Sequence, residues 1–183
     1  SNQIADTATL SFYGGSSKNA YFKMVGFSET VLGIQDTSGG GVIENVENET
    51  TGTVAGANTN ATLTIGGSQD NYFNGYLRNR SSGASTGSVN IVKVGTGTQT
   101  FAGANILYGN AASVSQPGGT TTISNGTLRF RDTTGFGDGG TGVNGGVSIA
   151  SGANWELERT NTTGWTYNGI ISGAGDLVKT GIG

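Results

Sequence analysis

Apolar residues in this chain come in short alternating runs. Ala8, Leu10 and Phe12 alternate with Thr7, Thr9 and Ser11, and Ala61, Leu63 and Ile65 alternate with Asn60, Thr62 and Thr64. Leu128 and Phe130 are interleaved with Thr127, Arg129 and Arg131, and Trp155 and Leu157 with Glu156 and Glu158. Successive side chains of a strand point to opposite faces, so each run predicts a strand with one apolar and one wet face. Helical spacing is missing: no window of about 11 residues carries apolar positions at i, i+3, i+4 and i+7 without glycines or β-branched clusters. Between the runs lie Gly14-Gly15, Gly39-Gly40-Gly41, Gly66-Gly67, Asn74-Gly75, Asn125-Gly126, Gly139-Gly140 and Gly145-Gly146. Such pairs supply positive φ for sharp corners.

Strand centres recur about every 8 to 14 residues, a spacing shared by sandwiches, barrels and β-solenoids. An internal echo separates these. Asn74-Gly75-Tyr76-Leu77 matches Asn168-Gly169-Ile170-Ile171, and the Gly87–Gly97 segment GSVNIVKVGTG matches GAGDLVKTGIG at Gly173–Gly183. Ala55-Gly56-Ala57-Asn58 likewise parallels Ser151-Gly152-Ala153-Asn154. A block of about 90 residues thus recurs, with an insert near Arg78–Ser85 in the first copy. Stacked coils expose equivalent positions to the same surroundings, so the echo favours a solenoid. Threonine suits an exposed pleat, and asparagine suits a corner while its amide stacks on the next coil. One detail resists: Ile91 and Lys93 share a strand face, as do Leu177 and Lys179. Either the chain bends there or the lysine sits at a corner and snorkels outward.

Of 183 residues, 35 are glycine and only 11% are charged, which by itself resembles a disordered linker; the alternation and the spread of aromatics argue for a folded chain. Net charge is −3 with no basic stripe, so a nucleic-acid partner has no electrostatic footprint. No apolar run is long enough to cross a membrane as a helix. The first residues hold neither a basic nor an apolar leader region, so the chain looks like a processed or excised piece. Histidine and cysteine are both absent, which excludes disulfides, thiolate or imidazole metal sites and the Ser-His-Asp arrangement.

Four stretches resemble the autotransporter-associated β-strand repeat of bacterial surface and secreted proteins. They are ISGAGDLVKTGIG (171–183), GGTTTISNGTLRF (118–130), VNIVKVGTGTQTFAGAN (89–105) and GFSETVLGIQ with GGGVIENVE (within 26–47). One unit spans about 74–130 and a second is cut off over 168–183; the Arg78–Ser85 insert and the longer Ile106–Pro117 segment depart from the family's form. The resemblance implies a right-handed parallel β-helix, exported to the cell surface or beyond, and brings no catalytic residues and no cofactor. With coils of about 20 to 25 residues, the whole chain would be one continuous segment of roughly eight coils. Few charges protect either end, so the expectation is a piece of a longer rod, or a unit that stacks end to end on copies of itself.

Candidate chemistry is sparse. Glu44, Glu47 and Glu49 with Asn45 and Asn48 form the richest acidic cluster, expected to be a solvated strand and turn rather than a calcium or catalytic site. Arg129, Arg131, Asp132 and Asp138 suggest surface pairing. GFGDGGTGVNGG at Gly135–Gly146 resembles calcium-binding glycine-aspartate repeats without their sustained spacing, and is expected to be a loop. Tyr72, Phe73 and Tyr76 flank one Asn-Gly corner, while Trp165 and Tyr167 precede its echo. These aromatics are candidate glycan contacts, to be weighed against stacking in the core. The expected role is structural: a display segment supporting adhesion, its partners neighbouring coils, copies of itself or surface glycans. The alternatives are a carbohydrate-binding module and, further off, a polysaccharide lyase or hydrolase.

Overall fold

The computed structural model describes residues 4–14, 19–46, 55–56, 58–80, 86–102, 105–109, 118–133, 145–162 and 166–183. They form sixteen strands and no helix: β1 Thr9–Ser11, β2 Ala20–Lys23, β3 Glu29–Val31, β4 Gly33–Gln35, β5 Gly41–Val46, β6 Ala61–Ile65, β7 Asn71–Phe73 and β8 Tyr76–Arg80. These are followed by β9 Val89–Lys93, β10 Thr98–Ala102, β11 Thr121–Ile123, β12 Thr127–Arg131, β13 Val147–Ile149, β14 Asn154–Arg159, β15 Ile171–Gly173 and β16 Asp176–Gly181. All four alternating runs fall in or beside strands. Leu63, Leu128, Phe130 and Trp155 turn inward, while Thr62, Thr64, Arg129 and Glu156 turn out.

Among the described residues every pairing is parallel. A six-stranded sheet runs β3-β6-β9-β11-β13-β15, a five-stranded sheet β7-β10-β12-β14-β16, a three-stranded sheet β2-β5-β8 and a two-stranded ladder β1-β4. A single bridge between Asp36 and Phe73 attaches that ladder to the five-stranded sheet. From β1 to β9 the chain visits these faces in one cyclic order, so each strand lies beside its predecessor from the previous round. Hydrogen-bonded residues on neighbouring rungs are 34 apart at Ser28–Thr62, 28 at Asn60–Ser88, 30 at Asn90–Thr120 and 24 at Glu156–Thr180. The segments between strands therefore make most rungs longer than the anticipated 20 to 25 residues.

Three features hold the rungs together. Between the sheets runs a file of rings: Phe12 to Phe73 (5.7 Å), Phe73 to Phe101 (6.2 Å), Phe101 to Phe130 (5.9 Å) and Phe130 to Trp155 (5.6 Å). Tilted and edge-on contacts of this kind add to the burial of large apolar area. Side-chain oxygens then cap the next rung. Asn58, Asn60, Asn90, Asp70 and Asp132 accept hydrogen bonds from the backbone N–H groups of Thr86, Ser88, Thr120, Thr98 and Thr160. Asparagine does couple one turn of the chain to the next, by bonding to backbone. Glycines make the third feature, and only in part for the reason expected. Gly39 and Gly126 have positive φ, whereas Gly67 and Gly95 do not. A Cβ on Gly95 would collide with the Gly67 carbonyl, and one on Gly67 with the Leu32 carbonyl. Close passage of backbones is what these two positions require.

The internal echo behaves differently from its expectation. Asn74-Gly75 opens β8 in the three-stranded sheet, but Asn168-Gly169 precedes β15 in the six-stranded one. β9 lies in the six-stranded sheet and its echo β16 in the five-stranded sheet; β6 and its counterpart β14 are offset in the same way. Matching sequences are advanced by one face, so they do not see the same surroundings. Alternation suits any of these sheets, and unequal connecting segments set which one a given run enters.

Candidate functional site

The most site-like feature arises where the ladder is interrupted. Among the described residues, the backbones of the β4 and β7 segments are hydrogen-bonded only through Asp36, just after β4: its N–H donates to the Tyr72 carbonyl (2.9 Å) and its carbonyl accepts from Asn74 N–H (2.9 Å). The rest of β4 is served by a side chain one rung further along. Buried Gln99 accepts from Ile34 N–H at 3.0 Å and donates its amide to the Ile34 carbonyl at 3.0 Å. Asn71 accepts from the Gln35 amide (2.7 Å) and donates to the Gln69 carbonyl (3.0 Å). Asp36 itself, 1% exposed, takes Ser38 N–H (2.7 Å), Ser38 Oγ (2.7 Å) and Gly39 N–H (3.1 Å) on one oxygen, and Gly41 N–H (2.5 Å) on the other. A buried carboxylate is tolerable when its acceptor positions are filled in this way.

Because Phe12, Asp36, Asn71 and Phe73 turn inward, their neighbours Ser11, Tyr13, Gln35, Thr37, Asp70 and Tyr72 share the outer face. They line a cleft of about 470 Å³. Its floor is the ladder Ser11–Gln35, continued to Tyr72 by the Asp36 bridge. Asp70 accepts from Thr98 N–H (2.7 Å), and among the described residues neither lysine nor arginine lines the cleft. Its two carboxylates, Asp36 and Asp70, leave only Asp70 as an accessible acid, since both Asp36 oxygens are occupied by the turn.

The five aromatics singled out from the sequence do not converge. Tyr72 lies in the cleft. Phe73 is fully buried in the file of rings, which corrects its reading as a glycan contact: strand alternation turns it inward. Tyr76 lies on the outer face of the three-stranded sheet under the Arg78 guanidinium, 5.4 Å from ring centre to Cζ. Tyr167 packs edge-on against Trp155 at 5.3 Å and donates its hydroxyl to the Gly145 carbonyl. Burial pushes that phenol up to about 12. Trp165 lies outside the described residues. Sequence reasoning missed Tyr13, Gln35 and Asp70. Alternation after Phe12 marks Tyr13 as outward, but nothing local places it beside Tyr72, 59 positions further along.

The acidic cluster is also different from its expectation. Glu44 and Asn45 are buried, not solvated. Glu44 pairs with Arg78 on the adjoining strand (2.8 Å), and Asn45 joins two corners by accepting from Gly26 N–H (2.7 Å) and donating to the Thr59 carbonyl (2.8 Å). Glu47, Asn48 and Glu49 fall outside the described residues, as do Asp138 and Gly135–Asn144. Arg129 pairs with Glu156 (2.9 Å) and Arg131 with Glu158 (3.7 Å) across β12 and β14, so the arginines do pair at the surface, but with glutamates of the next rung, while Asp132 bonds Thr160 instead. The Thr160 hydroxyl and amide, bonded to Asp132, hold its carboxyl below the usual range. Among the described residues, no group of three or more acidic side chains is placed to hold a metal ion.

Lys93 answers the question of the lysine on an apolar face. It neither bends away nor snorkels outward. It is 1% exposed, and its ammonium turns in at the strand end to donate to the Gly95 carbonyl and, at 3.5 Å, to the Asn125 carbonyl. Burial pushes its pKa down to about 8, opposed by the charge of Asp70.

No family model matches the chain, and no curated protein or solved structure resembles it at a significant level.

Proposed function

We propose that this chain is a segment of a right-handed parallel β-helix whose work is mechanical: it extends a rod on a bacterial surface or in the extracellular space and displays loops for adhesion. The single observation that carries the reading is the parallel stacking of rung on rung, in cyclic order from β1 to β9, with side chains bonded to the backbone of the next rung. Such a stack grows by nearest-neighbour contacts, and its length is set by the number of rungs. The export and surface location rest on the resemblance to autotransporter-associated repeats.

The partners in this reading are further coils or copies of the same chain, end to end. Supporting this, the side of β15 and β16 that no described strand covers presents Ile170, Ile171, Leu177 and Ile182, which are 76%, 41%, 49% and 73% exposed. Another parallel rung laid there would bury them and satisfy the strand edge. Sedimentation velocity and electron microscopy test the end-to-end form. The chain should associate into linear oligomers, and Ile171→Lys with Leu177→Lys should abolish them. Association that survives the double substitution, or that yields side-by-side dimers, would refute it.

A further inference from the structure

We propose that the cleft over β1, β4 and β7 is a binding subsite for a neutral saccharide chain, with Tyr13 and Tyr72 as its stacking surfaces. The inference stands apart from the rod reading, since it needs only three strands and the turn after Asp36. Its volume of about 470 Å³ lies within the range of small-ligand sites. Tyr13 is 91% exposed, although Phe12 beside it and Phe73 are buried, so its ring contributes little to folding. The hydroxyls of Tyr13, Tyr72 and Thr37 take part in no hydrogen bond among the described residues. A pyranose has an apolar C–H face and a rim of hydroxyls. Aromatic faces carrying polar edges, with an amide at Gln35 and a carboxylate at Asp70, complement both.

Charge selects among sugars. Among the described residues no lysine or arginine lines the cleft, and Asp70 brings a carboxylate to it, so a neutral sugar is favoured over a uronate, sialate or phosphorylated sugar. The floor is rigid, because Gln99, Asn71 and Asp36 satisfy the backbone beneath it. A preorganised floor lowers the ordering cost of binding. Successive rungs are about 4.8 Å apart; Ser11, Gln35 and Tyr72 lie level across three of them and Tyr13 stands two residues further along the first, so a saccharide chain running obliquely across the strands meets both rings. Binding without cleavage follows from the state of the acids. Glycoside hydrolysis uses two working carboxylates, and both oxygens of Asp36 are held by its own turn.

The test is isothermal titration and proton NMR of the full chain with neutral hexasaccharides of glucose, mannose and N-acetylglucosamine, with oligogalacturonate as the acidic comparator. At least one neutral probe should bind, and the acidic probe should bind at least tenfold more weakly. Tyr13→Ala and Tyr72→Ala should each weaken binding about tenfold, while Tyr72→Phe, which keeps the ring, should stay within about threefold. Tyr21→Ala, on the three-stranded sheet, should change nothing, and circular dichroism should show each variant folded. The proposal is overturned if no neutral probe binds, if the acidic probe binds as well, if Tyr13→Ala and Tyr72→Ala keep full affinity, or if the oligosaccharide is shortened during incubation.

Discussion

The segments Gly87–Gly97 and Gly173–Gly183 carry nearly the same residues in the same order and live in different places. In the first, β9 is an interior strand flanked by β6 and β11; Ile91 is fully buried and Lys93 is 1% exposed. In the second, β16 pairs only with β14 among the described residues; Leu177 is 49% exposed and Lys179 lies on the surface. The Asn90 side chain caps Thr120 on the next rung, whereas the carboxylate of its counterpart Asp176 accepts from no described residue. The difference teaches that the motif has no stability of its own. What a residue contributes depends on whether a rung lies on both sides of it.

The widest separation should come from the paired apolar positions. Ile91→Ala should cost about 2–5 kcal/mol, the range for emptying a packed core site, and Leu177→Ala under about 1 kcal/mol. Denaturant titrations of both variants measure this directly. Equal losses would mean that the two strands are equally covered in solution and would erase the comparison.

Next in size is the pair of lysines, read through pH. Burial lowers the folded pKa of Lys93 from the ordinary 10.5 to about 8. Below about 8 the side chain is protonated in both states, and the cost of burying its charge is fully present. As pH climbs from about 8 towards 10.5, the folded chain sheds that proton first and the unfolded chain binds more protons, so stability should rise, by up to about 3 kcal/mol. Tyr108 and Tyr167 act in the opposite sense. Burial raises both phenols, that of Tyr167 to about 12, so their contribution is complete below about 10 and fades above it. Stability should therefore peak near pH 10. Lys93→Met should flatten the rise, and Lys179→Met should leave it intact; unfolding midpoints between pH 7 and 11 decide.

A smaller effect concerns the caps. Asn90→Ala leaves Thr120 without its acceptor and should cost about 1–2 kcal/mol, while Asp176→Ala should fall within about 0.5 kcal/mol of wild type. Thermal unfolding of the two variants checks the contrast.

Much of this fold was legible. The runs at Ala61–Ile65, Leu128–Phe130 and Trp155–Leu157 announce strands and name their inward residues, because alternation is a local property of the pleat. Asparagine's part in joining one rung to the next was legible too. The cleft was not: Tyr13, Gln35 and Tyr72 are neighbours only because Asp36 takes a position on the rung next to Phe73. Phe73 misled for the converse reason, since an aromatic beside a corner can face either way and only the phase of its strand decides. Lys93 was misjudged because a lysine at a strand end can turn inward when carbonyls of two rungs await it.

Composition and alternation alone settled that the chain is all-β, with corners of glycine and asparagine and without histidine or thiol chemistry, because those follow from side-chain identity and a period of two. Which sheet each run entered, which lysine was buried and where a cleft opened were decided only by stacking. Those outcomes depend on the register between residues some 24 to 34 positions apart, which the lengths of the intervening segments set and no local pattern encodes.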